Sequence, residues 1–117
     1  MDFEDRAAAY LAAWNERDPD AIRGHLQGAV HPDVVFSDPV NRTEGIAALE
    51  TLIRTARADL PDAWYERTSA FDGGHDARYR YTWAVHTPDD TIVGMDCTTV
   101  DAEHRLLRID GFFGELT

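Results

Sequence analysis

The 117-residue sequence predicts an α+β domain, with three N-terminal helices packed on one face of a curved antiparallel sheet. Three observations carry that reading. Up to Leu60 the apolar residues recur at helical spacing in three separate stretches. After Pro61 the texture changes to alternation with period two. The four alternating runs are joined by short turns, and strands linked that closely pair antiparallel. Helices followed by a strand meander form a two-layer α+β arrangement. No repeat, linker or low-complexity tract interrupts residues 1–117, so one domain is expected.

Residues 2–16 form the first predicted helix, because Phe3, Ala7, Tyr10, Leu11 and Trp14 share one face. Asp2, Glu4 and Asp5 suit the positive end of its dipole. Asp18-Pro19 breaks it and opens a shorter helix over 19–27, with Ala21, Ile22 and Leu26 on its apolar side and Gly28 as its stop. His31-Pro32-Asp33 reads as a turn, and 34–37 as a short strand that delivers Asp38 at its end, where Pro39 stops the ladder. Ile46, Leu49, Leu52, Ile53 and Ala56 define a third helix over 43–59. Strands are expected at 64–71, 77–86, 91–100 and 106–113, with Asp72-Gly73-Gly74, Pro88-Asp89-Asp90 and Asp101-Ala102-Glu103-His104 between them.

Composition removes several classes of function. Twenty-two acidic residues against 11 basic ones give a net charge of -11, the wrong sign for nucleic acid or an anionic membrane. Every base is arginine, so Schiff-base chemistry and a phosphate-loop lysine are both excluded. The single cysteine, Cys97, cannot close an intrachain disulfide. With an acidic start, no apolar signal core and no apolar run near the ~20 residues of a bilayer span, the expected location is cytoplasmic.

Three polar residues stand among apolar neighbours. Asp38 ends a strand, where the plain reading is an Asp-Pro turn. Tyr10 lies on the apolar face of the first helix, where a tyrosine can be purely structural. Asp96 shares parity with Ile92, Gly94, Thr98 and Val100, and an ionised carboxylate facing the interior must pair or bind a proton. Gly94 is expected to leave open space beside it. If the three converge on one cavity, a charged Asp38 can remove a proton next to a carbonyl. Tyr10 and a neutral Asp96 can then donate to the oxygen as it becomes an enolate.

The stretch Tyr10-Leu11-Ala12-Ala13-Trp14-Asn15-Glu16-Arg17-Asp18, the Asp38-Pro39-Val40 turn, and the spacing from Asp96 to Phe112-Phe113-Gly114-Glu115 together resemble one group of proteins. It is the ketosteroid isomerase and SnoaL-like polyketide cyclase branch of the nuclear-transport-factor-2-like (NTF2-like) superfamily. The resemblance spans almost the whole chain. It implies a cone-shaped fold, a deep apolar pocket, no cofactor and a homodimer. It also implies Asp38 as the proton-shuttling base, with Tyr10 and a neutral Asp96 as oxyanion donors. Two departures stand out. The segment between Tyr10 and Asp38 is longer, and Ser37 and Asn41 flank Asp-Pro-Val where the isomerases carry an acid and a glycine.

Trp14, Phe36, Val100, Ile109, Gly111 and Phe113 are the expected substrate-binding walls, with Asp110 turned away from them by parity. The five histidines are scattered without ligand-type spacing, so no metal is expected. Neither Ser37 nor Ser69 sits in a nucleophile elbow. Arg78 and Arg80 alternate with Tyr79, Tyr81 and Trp83, which places bases and aromatics on opposite sheet faces. Two kinds of function remain open. One is an isomerase or cyclase acting on a small apolar ketone; the other is a non-catalytic domain that binds an apolar ligand or only dimerises.

Overall fold

The computed structural model describes residues 1–115. Helix α1 (Phe3–Asn15) is closed at its start by a reciprocal cap: Asp2 accepts from the Asp5 backbone N–H at 2.9 Å, and Asp5 accepts from that of Asp2 at 3.2 Å. Its buried face is Phe3, Ala7, Tyr10 and Ala13. Asn15 at its end fastens the helix to the sheet, donating to the Tyr65 carbonyl at 2.8 Å and accepting from the Tyr65 N–H at 2.7 Å. Asp18 caps a single 3₁₀ turn (Pro19–Ala21), which runs into α2 (Ile22–Ala29). Helix α3 (Ile46–Asp59) buries Leu49 and Ile53. Together with Ile22, Leu26, Val34, Leu106 and Ile109, these form the fully enclosed centre of the core.

Among the described residues, seven strands make one open, curved sheet: β1 (Val30–Ser37), β2 (Arg42–Glu44), β3 (Trp64–Arg67), β4 (Asp72–Gly73), β5 (Arg78–His86), β6 (Thr91–Val100) and β7 (Leu106–Phe113). The order is β2-β1-β7-β6-β5-β3, with β4 also on β5. The α+β class and the layering are as the sequence predicts, with four differences. First, the strand carrying Asp38 begins at Val30, directly after α2, so His31-Pro32-Asp33 lies within β1 rather than in a turn. The register between β1 and β7 slips between Val30 and Val35, which lets Pro32, lacking an N–H, sit inside a strand.

Second, β1 pairs with β7 in parallel, so the sheet is mixed. Parallel neighbours need a long connection, and more than half of the chain, from the end of β1 to the start of β7, runs between these two. Third, the strand expected over 64–71 stops at Arg67 as β3, and Asp72-Gly73, expected in a turn, form the short β4 on β5. At the break Ser69 Oγ accepts from the Thr82 N–H at 2.9 Å, taking the place of a ladder carbonyl. Fourth, Thr43 and Glu44, expected to open the third helix, instead belong to β2 and pair back on β1.

Candidate active site

A cavity of about 600 Å³ opens between α1, α3 and the inner face of the sheet. Tyr10, Asp38 and Asp96 all line it, although they come from a helix, a strand end and a mid-strand position. Gly111 sits between the two carboxylates. A Cβ placed there would lie 3.2 Å from Asp96 Oδ1 and 3.5 Å from Asp38 Cβ, so both aspartates are on one face of the sheet.

Asp38 is half-buried where β1 gives way to the turn into β2. Its backbone N–H donates to the Asn41 carbonyl at 2.9 Å, closing that turn. Oδ1 accepts from the backbone N–H groups of Val40 (2.9 Å) and Asn41 (2.7 Å), and from Asn41 Nδ2 at 3.3 Å. Oδ2 has a single longer contact, 3.4 Å from Asn41 Nδ2. One oxygen is thus anchored and the other is left to take a proton. Asn41, visible in the sequence only as a departure from the isomerase pattern, is part of that anchor.

Asp96 points inward, as its parity predicts, and is 8% exposed. Tyr81 Oη donates to Oδ2 at 3.0 Å, and Trp83 Nε1 donates to Oδ1 at 2.9 Å. Desolvation raises its pKa from 3.8 to about 6; the two donors work against that rise, and the charges of Asp38 and Asp110 add to it. Asp96 accepts both of these hydrogen bonds, and burial raises its proton affinity in the direction the sequence reading expects. Each oxygen keeps a second lone pair, so a proton can still be bound.

Gly94 differs from expectation as well. A Cβ there would lie 2.3 Å from the Trp83 ring and 2.3 Å from the Phe112 carbonyl, so the place is filled, not open. Trp83 and Gly94 are register partners, and the absent side chain lets the indole lie across β6 and reach Asp96. Tyr81 is the register partner of Asp96 itself. Neither donor was singled out from the sequence, yet both occupy the inward parity of the aromatic run 79–83. Knowledge of the β5–β6 register is what would have identified them.

Tyr10 is 4% exposed, and burial pushes its phenol well above 10, helped by the charge of Asp96 and opposed by the Trp14 indole. It makes no hydrogen bond to Asp96, whose oxygens are occupied by Tyr81 and Trp83. Of the expected walls, Trp14, Phe36, Gly111 and Phe113 line the cavity. Val100 and Ile109 do not: they are 6% and 0% exposed and belong to the packed core. They share the inward face, but further along β6 and β7 that face is covered by core side chains, so the cavity occupies only one end of it. Asp110, turned away as expected, pairs with Arg108 at 3.0 Å.

The profile of the SnoaL-like domain family matches residues 7–109. No protein of curated function gives a significant match. Among solved structures, a candidate isomerase of the SnoaL-like family from Agrobacterium tumefaciens is 29% identical, with a TM-score of 0.85 over 94% of this chain and 95% of that one. An NTF2-like protein of unknown function from Exiguobacterium sp. 255-15 is 15% identical, with a TM-score of 0.78 over 95% and 99%. A candidate ketosteroid isomerase from Kribbella flavida is 18% identical, with a TM-score of 0.71 over 98% and 79%.

Proposed function

The chain belongs to the SnoaL-like domain family, and from that premise we propose that it is a cofactor-free acid/base enzyme working on a small, largely apolar ketone. The observation that carries this reading is the presence of Tyr10, Asp38 and Asp96 on the walls of one cavity, the two carboxylates flanking Gly111. Asp38 Oδ2 takes a proton from the carbon next to the carbonyl. The electron pair moves onto the carbonyl oxygen, which receives hydrogen bonds from the Tyr10 hydroxyl and from a protonated Asp96. Ligand entry favours that protonation, because it removes water from a carboxyl already raised to about 6. Asp38 then returns its proton to a different carbon, completing an isomerisation, or the enolate carbon attacks a second carbonyl of the same molecule and the alkoxide so formed takes the proton back from Asp38, closing a ring by aldol chemistry.

The alternative is a non-catalytic ligand-binding or dimerisation domain. An open cavity weighs against a purely packing role, since a dimerisation module has no use for about 600 Å³ of interior space. The enzyme is proposed to act as a homodimer. Turnover of a β,γ-unsaturated bicyclic ketone, followed by the ultraviolet absorbance of its conjugated product, tests the chemistry. Asp38→Asn should lower kcat by about 10²–10⁴-fold, the worth of a positioned proton-transfer group, with KM little changed. A variant as active as the parent would remove Asp38 from the mechanism.

A further inference from the structure

Four charged side chains line the cavity: Glu4, Asp38, Asp96 and Arg67. Arg67 is therefore its only base among the described residues. Seven other arginines (23, 42, 54, 78, 80, 105 and 108) form ion pairs with carboxylates, as an acid-rich chain makes easy. Arg6 and Arg57 donate instead to backbone carbonyls, Arg6 to Gly28 at 2.7 Å and Arg57 to Ala63 at 2.6 Å. Arg67 has no carboxylate partner among the described residues. Its guanidinium lies over the Phe71 ring, Cζ 4.2 Å from the centroid, and Nη1 donates to the Ser69 carbonyl. Phe71 is itself fixed edge-on against Phe3 (4.9 Å) and Tyr81 (5.5 Å).

The group is thus held in place while Nε and Nη2 have no partner among the described residues. That edge is the one that grips a carboxylate through two parallel bonds. Arg67 is exposed, as are Leu60 and Phe113 on the same lining, whereas Tyr10, Tyr81 and Asp96 are buried. Arg67 therefore belongs to the mouth, and Tyr10, Tyr81 and Asp96 to the floor. Building on the ketone-binding cavity described above, we infer that the ligand is an apolar keto acid whose carboxylate is taken by Arg67 at the mouth. Buried Asp96 and half-buried Asp38 repel an anion from the inner part of the cavity, so the carboxylate stays outermost and the apolar body with its ketone points toward Tyr10. Glu4, the remaining charged side chain on the lining, forms no ion pair with Arg67, which leaves the guanidinium free for the ligand.

The test compares two probes of one shape, 2-naphthylacetate and its uncharged amide, titrated calorimetrically against the parent, Arg67→Gln and Arg67→Lys. The parent should bind the acid at least 10-fold more tightly than the amide, with only the acid weakened by salt. Arg67→Gln should abolish that preference without weakening the amide, and Arg67→Lys should restore part of it, keeping charge but losing the fork. Melting temperature of each variant checks the fold. Equal binding of acid and amide by the parent, an equal loss of both in Arg67→Gln, or no binding of either probe at millimolar concentration would overturn the inference. Binding is read without turnover, so failure here leaves the role of Asp38 untouched, and loss of the Asp38 mechanism leaves the anion preference standing.

Discussion

Asp96→Asn should stabilise the protein, and only above a definite pH. In the folded chain the carboxyl is 8% exposed and titrates near 6, against 3.8 for a free aspartate, chiefly because burial disfavours its charge. A group whose pKa is raised on folding binds its proton more tightly in the native state. Its favourable contribution is fully present below about pH 4 and is lost as the pH rises through about 6. The distance from 3.8 to about 6 is worth roughly 3 kcal/mol. For a chain of this size that is on the order of 10 °C in Tm. The amide has the same shape, carries no charge at any pH, and keeps an oxygen to accept from Tyr81 or Trp83.

Urea unfolding of both proteins at intervals from pH 4 to pH 8 isolates the effect, because every other titrating group is shared. Whatever constant offset the amide brings, the difference in stability should move in favour of the Asp96→Asn variant by up to ~3 kcal/mol between pH 4 and pH 7, then level off. Parallel curves would refute the reasoning, since they would mean that the carboxylate is well solvated. A difference of opposite sign would show that the bonds from Tyr81 and Trp83 outweigh the loss of water. The same substitution should slow turnover, so stability and activity are expected to trade against one another at this residue.

Three other expectations are simpler to check. Gly94→Ala should displace the Trp83 indole, because the new methyl would lie 2.3 Å from it; a changed tryptophan emission and a cost of about 1–3 kcal/mol in unfolding are expected. Multi-angle light scattering at micromolar concentration should give twice the 13.2 kDa chain mass, and a monomer would remove the proposed homodimer. With a net charge of -11, Tm should rise between low and moderate sodium chloride, and a flat response would mean that the local arginine pairs already neutralise the acids.

The fold was legible because periodicity is a local property. The helical faces of Phe3, Ala7 and Tyr10 and of Leu49 and Ile53 are written in neighbouring residues, as is the alternation that turns Asp96 inward and Asp110 outward. Pairing across the sheet is not local. The parallel partnership of β1 with β7 joins residues about seventy positions apart, and nothing in either stretch announces it. The end of β3 at Arg67, short of the expected Phe71, goes with one hydroxyl, that of Ser69, standing in for a carbonyl.

The same distinction explains the site. Tyr10, Asp38 and Asp96 could be singled out because each breaks the apolar pattern of its own element. Their chemical state could not be read that way, because it is set by residues on other strands. Asp96 owes its two donors to Tyr81 and Trp83, and Trp83 reaches it only because its cross-strand partner is Gly94. In the sequence that glycine looks like a gap in the wall; in the fold it is the place where an indole crosses the strand. A floor acid whose pKa burial has raised to about 6 is close enough to neutrality to gain a proton when a ligand displaces water, which couples occupancy to acidity. Catalysis at this site would then begin with a proton taken up on binding. Calorimetric titrations in buffers of different ionisation enthalpy should detect that uptake near pH 7 in the parent and not in Asp96→Asn, whereas equal heats in every buffer would mean that Asp96 stays charged with the ligand in place.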